Sequence, residues 1–351
     1  MNVKPLFKLM VEKKASDLFF SPYAPAKIKI DGKIMPVNKL EMTPKMVKQA
    51  AIELMDENQL DIFTRELEID FAISEAGLGR FRVNVFQQRG NVAMVLRYIT
   101  AEMPTLDELG MPEQLKELVM LRRGLILMVG ASGNGKSTTL AAMINHRNEK
   151  TSSHIITIED PIEFLHPNKQ SIVNQREVGL DTKSYENALK SAMRAAPDVI
   201  QIGEIRDRVS MQSAIDMAGT GHLVLATLHS NNAPETLDRI INMFPQQQHA
   251  QIFMDLAHYL RAIISQRLVR SRTGRRVAAV ELMLNTPHIK DLIHKGDISE
   301  LKEALKDSSE KGVQNFDLAL LNLYKAGTIT LEEAMSHADS RSNLEAKVNF
   351  G

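Results

Sequence analysis

The chain of 351 residues contains no cysteine. This absence excludes disulfides, thiol catalysis, iron–sulfur clusters and every zinc site that uses cysteine ligands. The ten histidines are scattered, and none of them forms an HExxH pattern. Chemistry that depends on thiols or on a thiolate-held metal is therefore not available to this protein.

An excess of charge of either sign is also missing. Lys and Arg together number 43, as do Asp and Glu, so the formal net charge is zero. A strongly basic nucleic-acid binder is not indicated, and we expect no nucleic-acid partner. The first 17 residues lack the apolar core of a signal peptide, and aliphatic stretches such as 125–129 are far shorter than the roughly 20 residues that span a bilayer. We therefore expect a cytoplasmic protein.

Two domains are predicted from the pattern along the chain. Up to residue 103, residues 26–30, 33–37 and 81–85 alternate like strands, Asp31-Gly32 is typical of a turn, and Thr43-Pro44 opens a helical stretch. This indicates a small α+β domain with an antiparallel sheet over residues 1–103. Two prolines bound a predicted linker over 104–112, and the second domain is predicted over 113–351.

The second domain has an α/β pattern. Its apolar runs lie at 124–129, 154–158, 198–203 and 223–228, with helical segments between them. Runs that are apolar throughout are typical of parallel strands covered on both faces. The last 40 or so residues are predicted to be helical, and Thr330 with Glu333 forms a capping-box pattern. The predicted fold class is α/β with a helical tail.

The strongest motif matches GxxxxGK[ST] between a predicted strand and a predicted helix. Glycines permit the tight loop whose N–H groups face a nucleotide's phosphates, Lys136 supplies a positive charge to them, and the Ser137 hydroxyl can bind Mg²⁺. The predicted nucleotide-binding residues here are Gly130, Ala131, Ser132, Gly133, Asn134, Gly135, Lys136, Ser137 and Thr138.

Three carboxylates follow the next predicted strand. Glu159, Asp160 and Glu163 come at or after its carboxyl end, where open parallel sheets bind ligands. They would repel one another and the phosphates unless a cation or a water-polarising role offset this. We assign Glu159 and Asp160 to Mg²⁺ and Glu163 to catalysis. The alternative is a solvated acidic turn.

The third predicted strand offers two acidic residues. Six residues at about 3.3 Å each place Asp198 about 20 Å from Glu204, at the opposite edge of the sheet. Only Glu204 would reach the nucleotide, and we assign it to orienting or activating the attacking water. On the following strand His229 is either structural or a sensor of the γ-phosphate.

Arginines form a pattern in the first domain. Arg80 and Arg82 are two residues apart on a predicted strand and therefore share a face, and Arg97 lies on a nearby strand. They are either a solvated sheet face or arginine fingers supplied to a phosphate site by another subunit. The second interpretation implies head-to-tail contacts that close a ring.

These motifs together resemble the secretion ATPase superfamily. Their order matches its P-loop, Asp box, atypical Walker B and His box, in the segments GASGNGKSTT, HIITIEDPIEFLH, PDVIQIGEIRD and GHLVLATLHS. The segments ASDLFF and GRFRVNVFQQR resemble the N-terminal domain of the type IV pilus retraction ATPases. The resemblance covers essentially the whole chain.

Within that family the chain is most similar to the PilU branch, the accessory paralogues of the PilT branch. PilT-like proteins usually have ASDLHL where Phe19 and Phe20 stand here, and AIRNL where residues 288–292 read HIKDL. The tail from residue 312 onward also resembles the PilU branch.

The resemblance implies a PAS-like N-terminal domain and a RecA-like ATPase domain, with ATP and Mg²⁺ between the two and Arg80, Arg82 and Arg97 near the phosphates. It implies a homohexamer that works beside a PilT-like retraction ATPase at the inner-membrane platform of the pilus machine. The activity implied is ATP hydrolysis that supports pilus retraction and twitching motility.

Three other functions compete with this one. Pilus assembly and type II secretion ATPases share the core motifs, but they usually carry a four-cysteine zinc insertion and a longer N-terminal extension. A DNA-translocating motor is disfavoured by the balanced charge and by the lack of an aromatic-plus-basic stripe. The third is a structural subunit that binds nucleotide without turnover and stiffens a partner ring.

Overall fold

The computed structural model describes residues 3–30, 32–100, 102–306 and 314–350. It divides into two compact units, one formed by Met1–Glu102 with Glu163–Leu165 and the other by Met103–Ile162 with His166–Gly351. Half of the predicted Asp31-Gly32 turn, Asp31, lies outside the described residues.

The described residues of the first unit form an antiparallel sheet and three helices. Its sheet has the order β3-β2-β1-β6-β5-β4, and all neighbouring strands run antiparallel, as predicted. Phe7 stacks on Phe81 with 4.4 Å between ring centroids in the core of this unit. The elements are α1 (Lys4–Glu12), β1 (Asp17–Phe20), β2 (Pro25–Ile30), β3 (Lys33–Glu41), α2 (Pro44–Leu54), α3 (Glu57–Glu66), β4 (Glu68–Glu75), β5 (Gly79–Gln88) and β6 (Asn91–Ile99).

The second unit alternates strands and helices before a helical tail. Its elements are α4 (Gln114–Val119), β7 (Gly124–Val129), α5 (Lys136–Lys150), β8 (His154–Glu159), β9 (Ile172–Glu177), α6 (Tyr185–Ala192), β10 (Val199–Ile202), α7 (Arg208–Gly219), β11 (Leu223–Leu228), α8 (Ala233–Asn242), α9 (His249–Tyr259), β12 (Leu260–Arg270), β13 (Arg276–Leu284), α10 (Pro287–Lys295), α11 (Ile298–Lys306), α12 (Phe316–Lys325), α13 (Leu331–His337) and α14 (Arg341–Phe350).

The sheet of the second unit confirms the predicted α/β fold class. Its strand order is β13-β12-β7-β11-β10-β8-β9, and every pair is parallel except β12 with β13. The four predicted apolar runs are the neighbours β7, β11, β10 and β8. Every residue of β7 and β11 is buried, which explains why these strands are apolar throughout. Strands β9, β12 and β13, which extend the sheet on both sides, were not predicted.

The segment predicted as a linker belongs to the second unit, which starts at Met103. Leu106 and Met111 are buried there in the same cluster as Leu115 of α4. These two side chains therefore attach residues 104–112 to the core of this unit.

The predicted capping box in the tail is half present. The Thr330 hydroxyl accepts the N–H of Glu333 at 3.2 Å and caps α13. The Glu333 carboxylate, however, accepts the N–H of Arg270 on β12 at 2.6 Å. The second half of the predicted motif is wrong because a neighbouring strand offers Glu333 another backbone donor. No helix among the described residues has the length and apolar character to cross a bilayer.

Candidate nucleotide-binding site

The loop between β7 and α5 has positive φ angles at its three glycines. Gly130, Gly133 and Gly135 have φ values of +146°, +80° and +78°, which other residues rarely adopt. A Cβ atom at Gly130 would also lie 2.5 Å from the carbonyl oxygen of Gln266. Residues 130–135 thus form a tight turn that leads directly into the first turn of a 15-residue helix. The exposed N–H groups at that end of a helix favour a phosphate.

Lys136 is held at this loop by backbone oxygens. Its Nζ donates to the carbonyl of Gly130 at 2.7 Å and to that of Ala131 at 3.1 Å. The side chain is largely buried, so these hydrogen bonds stabilise its charge. Ser137 and Thr138 follow in the first turn of α5.

Glu204 lies just beyond the carboxyl end of β10 and contacts two basic side chains. Its Oε1 is 3.0 Å from Nε2 of His229, and its Oε2 accepts from Nη2 of Arg206 at 2.6 Å. Burial raises the pKa of Glu204. The hydrogen bond from Arg206 and the charges of His229 and Lys136 outweigh that effect, and the pKa lies below its ordinary value. The structure therefore brings Glu204 into contact with His229 and Arg206.

Two residues of this cluster were missed by sequence reasoning. Arg206 Nη1 lies 3.8 Å from Asp160 Oδ2 while the same guanidinium holds Glu204. Burial and the charge of Asp160 raise the pKa of Tyr185, whose hydroxyl lies 3.0 Å from where a Cβ of Gly203 would be. Arg206 stands two residues after Glu204, so the sequence alone could have shown that the two side chains are close. Tyr185 lies on α6, and no motif in the sequence around it indicated a place in this cluster.

Glu159 is a buried carboxylate at the end of β8. Its Oε1 accepts from the Thr157 hydroxyl at 2.6 Å and from Nε2 of Gln175 at 3.1 Å. Across the described ranges, no three His, Asp or Glu side chains are grouped so as to hold a metal ion by themselves. Mg²⁺ in ATPases takes few protein ligands and keeps waters and phosphate oxygens. A hydroxyl with one or two carboxylates therefore fits that ion.

Glu163 belongs to the first unit, where Leu165 donates its N–H to the carbonyl of Thr100 at 3.1 Å. Asp198 precedes β10 and accepts the N–H of His154 at 2.8 Å. Because His154 begins β8, Asp198 lies at the amino end of the parallel strands, opposite Glu204.

The three predicted arginines lie on neighbouring strands of the first unit. Arg82 on β5 is directly opposite Arg97 on β6, and Arg80 is opposite Ile99. Nε of Arg97 lies 2.9 Å from Oδ1 of the buried Asp17.

Arg82 has a looser partner than Arg97. Its Nε lies 3.5 Å from Oδ1 of Asp70 on β4. Because the Phe81 between them is buried, Arg80 and Arg82 share the opposite face of the strand, as predicted.

Comparison with known proteins places these features in a family. The family described as "Type II/IV secretion system protein" matches residues 2–335. "Type IV pilus ATPase PilU" of Pseudomonas aeruginosa is 50% identical, over 100% of this chain and 92% of that protein. "Type IV pilus retractation ATPase PilT" of the same organism is 39% identical, over 98% of this chain and 100% of that protein.

A solved structure supports the same relationship. The chain matches the "Crystal Structure of the Pilus Retraction Motor PilT and Bound ADP" with a TM-score of 0.91 and 41% identity, over 98% of this chain and 99% of that one. The similarity therefore extends over both units.

Proposed function

The chain belongs to the Type II/IV secretion system protein family, and we propose on that basis that it is an ATP-hydrolysing motor that supports retraction of type IV pili in twitching motility. The relatives named as pilus ATPases match it over nearly their whole length, which supports the same activity here. The observation that carries the proposal is the contact of His229 with Glu204 at the carboxyl edge of the parallel sheet, next to the strand that leads into the loop of Lys136.

ATP is the substrate, and residues 130–138 bind its phosphates. Backbone N–H groups of the loop and the amino end of α5 supply donors, and Lys136 supplies a positive charge. The bonds from Lys136 to the carbonyls of Gly130 and Ala131 hold the ammonium at the loop.

Glu204 orients the attacking water. Because the pKa of Glu204 is lowered, the carboxylate is ionised at neutral pH and accepts a hydrogen bond from water. His229 contacts Glu204, which supports a role for it in responding to the γ-phosphate. Transfer of the phosphoryl group to that water yields ADP and phosphate.

Mg²⁺ would be held by Ser137 with Glu159 and Asp160, and when bound it neutralises charge on the phosphates. The bonds from Thr157 and Gln175 restrict Glu159 to one orientation. Ser137 contributes its hydroxyl from the first turn of α5.

We propose that the working form is a homohexamer in which Arg80, Arg82 or Arg97 acts on the nucleotide of a neighbouring subunit. Glu163 is proposed as a further catalytic carboxylate. The partners are a PilT-like retraction ATPase and the platform protein at the cytoplasmic face of the inner membrane. A subunit that only stiffens a partner ring is not favoured, because the chain retains the phosphate-binding and water-orienting residues together.

Steady-state ATPase assays on the purified protein test this proposal. Lys136→Ala and Glu204→Ala should each lower turnover by about 100-fold or more, and Glu204→Ala should still bind ATP because the phosphate-binding loop is intact. Asp198→Asn is the matched control, since it changes a carboxylate at the other end of the same strand. Wild-type turnover by Glu204→Ala would refute its role.

A second assay addresses the oligomer and the partner. Light scattering at micromolar protein with an ATP analogue should report a hexamer, and adding a purified PilT-like ring should change the ATPase rate. A strictly monomeric protein under these conditions would contradict the ring.

A further inference from the structure

Gln266, on β12, contacts the phosphate-binding loop from more than 125 residues away in sequence. Its side chain is buried. Nε2 donates to the carbonyl oxygen of Asn134 at 2.7 Å, and Oε1 accepts from the hydroxyl of Thr139 at 2.8 Å. The carbonyl of Asn134 can only accept a hydrogen bond, so the amide nitrogen of Gln266 must face it. The amide oxygen then faces the hydroxyl of Thr139, which donates to it.

The bond to Asn134 determines the direction of one loop amide. In a trans peptide the carbonyl oxygen and the next N–H point in opposite directions. Because Gln266 holds the oxygen of Asn134, the N–H of Gly135 points away from Gln266. A loop that binds phosphate needs its N–H groups to face one side and its carbonyls the other.

Gln266 also occupies the space beside two of the loop glycines. A Cβ at Gly130 would lie 2.5 Å from the backbone oxygen of Gln266, and a Cβ at Gly135 would lie 3.0 Å from its Nε2. One residue of β12 therefore contacts both ends of the loop.

The next residue along the strand connects β12 to the helical tail. Arg267 donates to Asp339 at 2.7 Å and to the carbonyl of His337 at 3.0 Å, and it stacks over the ring of Phe316 at 3.8 Å. Successive residues of a strand point to opposite faces. The loop and the tail are thus attached to opposite faces of β12.

Resting on the proposed function, we propose that Gln266 is a positioning residue for the nucleotide phosphates: its amide holds the Asn134–Gly135 peptide so that the loop presents its N–H groups to the ligand. Glutamine suits this position because its amide supplies both the donor to Asn134 and the acceptor for Thr139. A side chain of similar length without them would fill the space but leave the peptide free to rotate.

The test is the affinity of the full chain for a fluorescent ADP analogue. Gln266→Met keeps the length and removes both hydrogen bonds, and it should weaken ADP binding by about tenfold, because the loop would then have to be ordered when ADP binds. Gln201→Met is the matched control. Gln201 is a buried glutamine on β10 of the same sheet, and its substitution should leave ADP affinity within twofold of wild type.

A second pair of variants keeps the test informative if Gln266→Met folds poorly. Thr139→Val removes the hydroxyl that orients the amide and should also weaken ADP binding, whereas Thr139→Ser keeps the hydroxyl and should restore it. Combined with Gln266→Met, Thr139→Val should cause no further loss, because both changes release the same amide.

The outcomes separate this inference from the proposed function. A wild-type protein that does not bind ADP would refute the proposed function. If the wild type binds ADP and both Gln266→Met and Thr139→Val bind it equally well, Gln266 has only a structural role and the inference is overturned. The inference is also overturned if these variants unfold at a lower temperature but bind ADP as tightly as the wild type.

Discussion

Nε2 of His229 lies 3.0 Å from Oε1 of Glu204, so the histidine that follows β11 directly contacts the carboxylate that follows β10. Arg206 holds the other oxygen at 2.6 Å. Each carboxylate oxygen therefore faces a basic group. This arrangement explains why the pKa of Glu204 is lowered although burial alone would raise it.

Removing Arg206 should change the pH dependence of ATP hydrolysis. Because Glu204 is proposed to act as an ionised carboxylate, we expect activity to be lost as the pH falls through the pKa of this carboxyl. Arg206→Ala deletes the hydrogen bond and the charge that lower the pKa. The acidic limb of the pH–rate profile should therefore move to higher pH, measured as turnover of saturating ATP from pH 4 upward.

Arg208→Ala is the control for that measurement. It removes the same charge two residues away, at the exposed first position of α7. Its acidic limb should coincide with that of the wild type. An unchanged limb in Arg206→Ala would show that Arg206 does not set the pKa of Glu204.

Glu281 should make the stability of the protein fall as the pH rises. Burial raises its pKa to about 7, although the N–H of Ala233 and the hydroxyl of Ser265 both donate to it. Between its unfolded pKa, near 4.5, and 7 the folded state binds more protons than the unfolded state. The free energy of unfolding therefore decreases across this range, by an amount on the order of 3 kcal/mol.

Glu281→Gln tests this, because the amide oxygen still accepts both hydrogen bonds and does not titrate. Urea unfolding at pH 5 and pH 8 should show a smaller pH dependence in the variant than in the wild type. If the free energy of unfolding changed equally with pH in the two proteins, Glu281 would not be the source of the pH dependence.

Gly130 and Gly133 should respond differently to alanine. At Gly130 the new Cβ would lie 2.5 Å from the oxygen of Gln266, whereas at Gly133 no atom lies within 4 Å and only the positive φ is unfavourable. Gly130→Ala should lower the free energy of unfolding by about 3 kcal/mol, and Gly133→Ala by about 1 kcal/mol. Denaturant titration measures both, and equal losses would contradict the close contact with Gln266.

Arg97 and Arg82 should differ in their effect on stability. Arg97→Ala leaves the buried Asp17 without its guanidinium and should cost about 1–3 kcal/mol. Arg82→Ala affects an ion pair with the half-exposed Asp70, and such pairs contribute about 0–1 kcal/mol. Thermal unfolding of the two variants compares them. A larger loss for Arg82→Ala would be inconsistent with these contacts.

Several features depend on contiguous residues, and the sequence by itself determined them. The glycine-rich loop between β7 and α5 is one, because a strand, three glycines and a helix that begins at Lys136 follow one another along the chain. The distance along β10 was enough to place Asp198 and Glu204 at opposite ends of it. The four apolar runs predicted a parallel sheet because only strands covered on both faces are apolar throughout.

Other features were decided only by the tertiary structure. Nothing local indicates that β12 lies beside β7, since the order of strands depends on how the whole sheet packs. That neighbour brings Gln266 to Asn134 and gives Glu333 a backbone donor at Arg270 in place of its own helix. Glu163, close in sequence to Glu159, belongs to the other unit. Side-chain chemistry and spacing specify local turns, but contacts between distant segments depend on which strands pair, and strand pairing follows from burying the entire apolar surface at once.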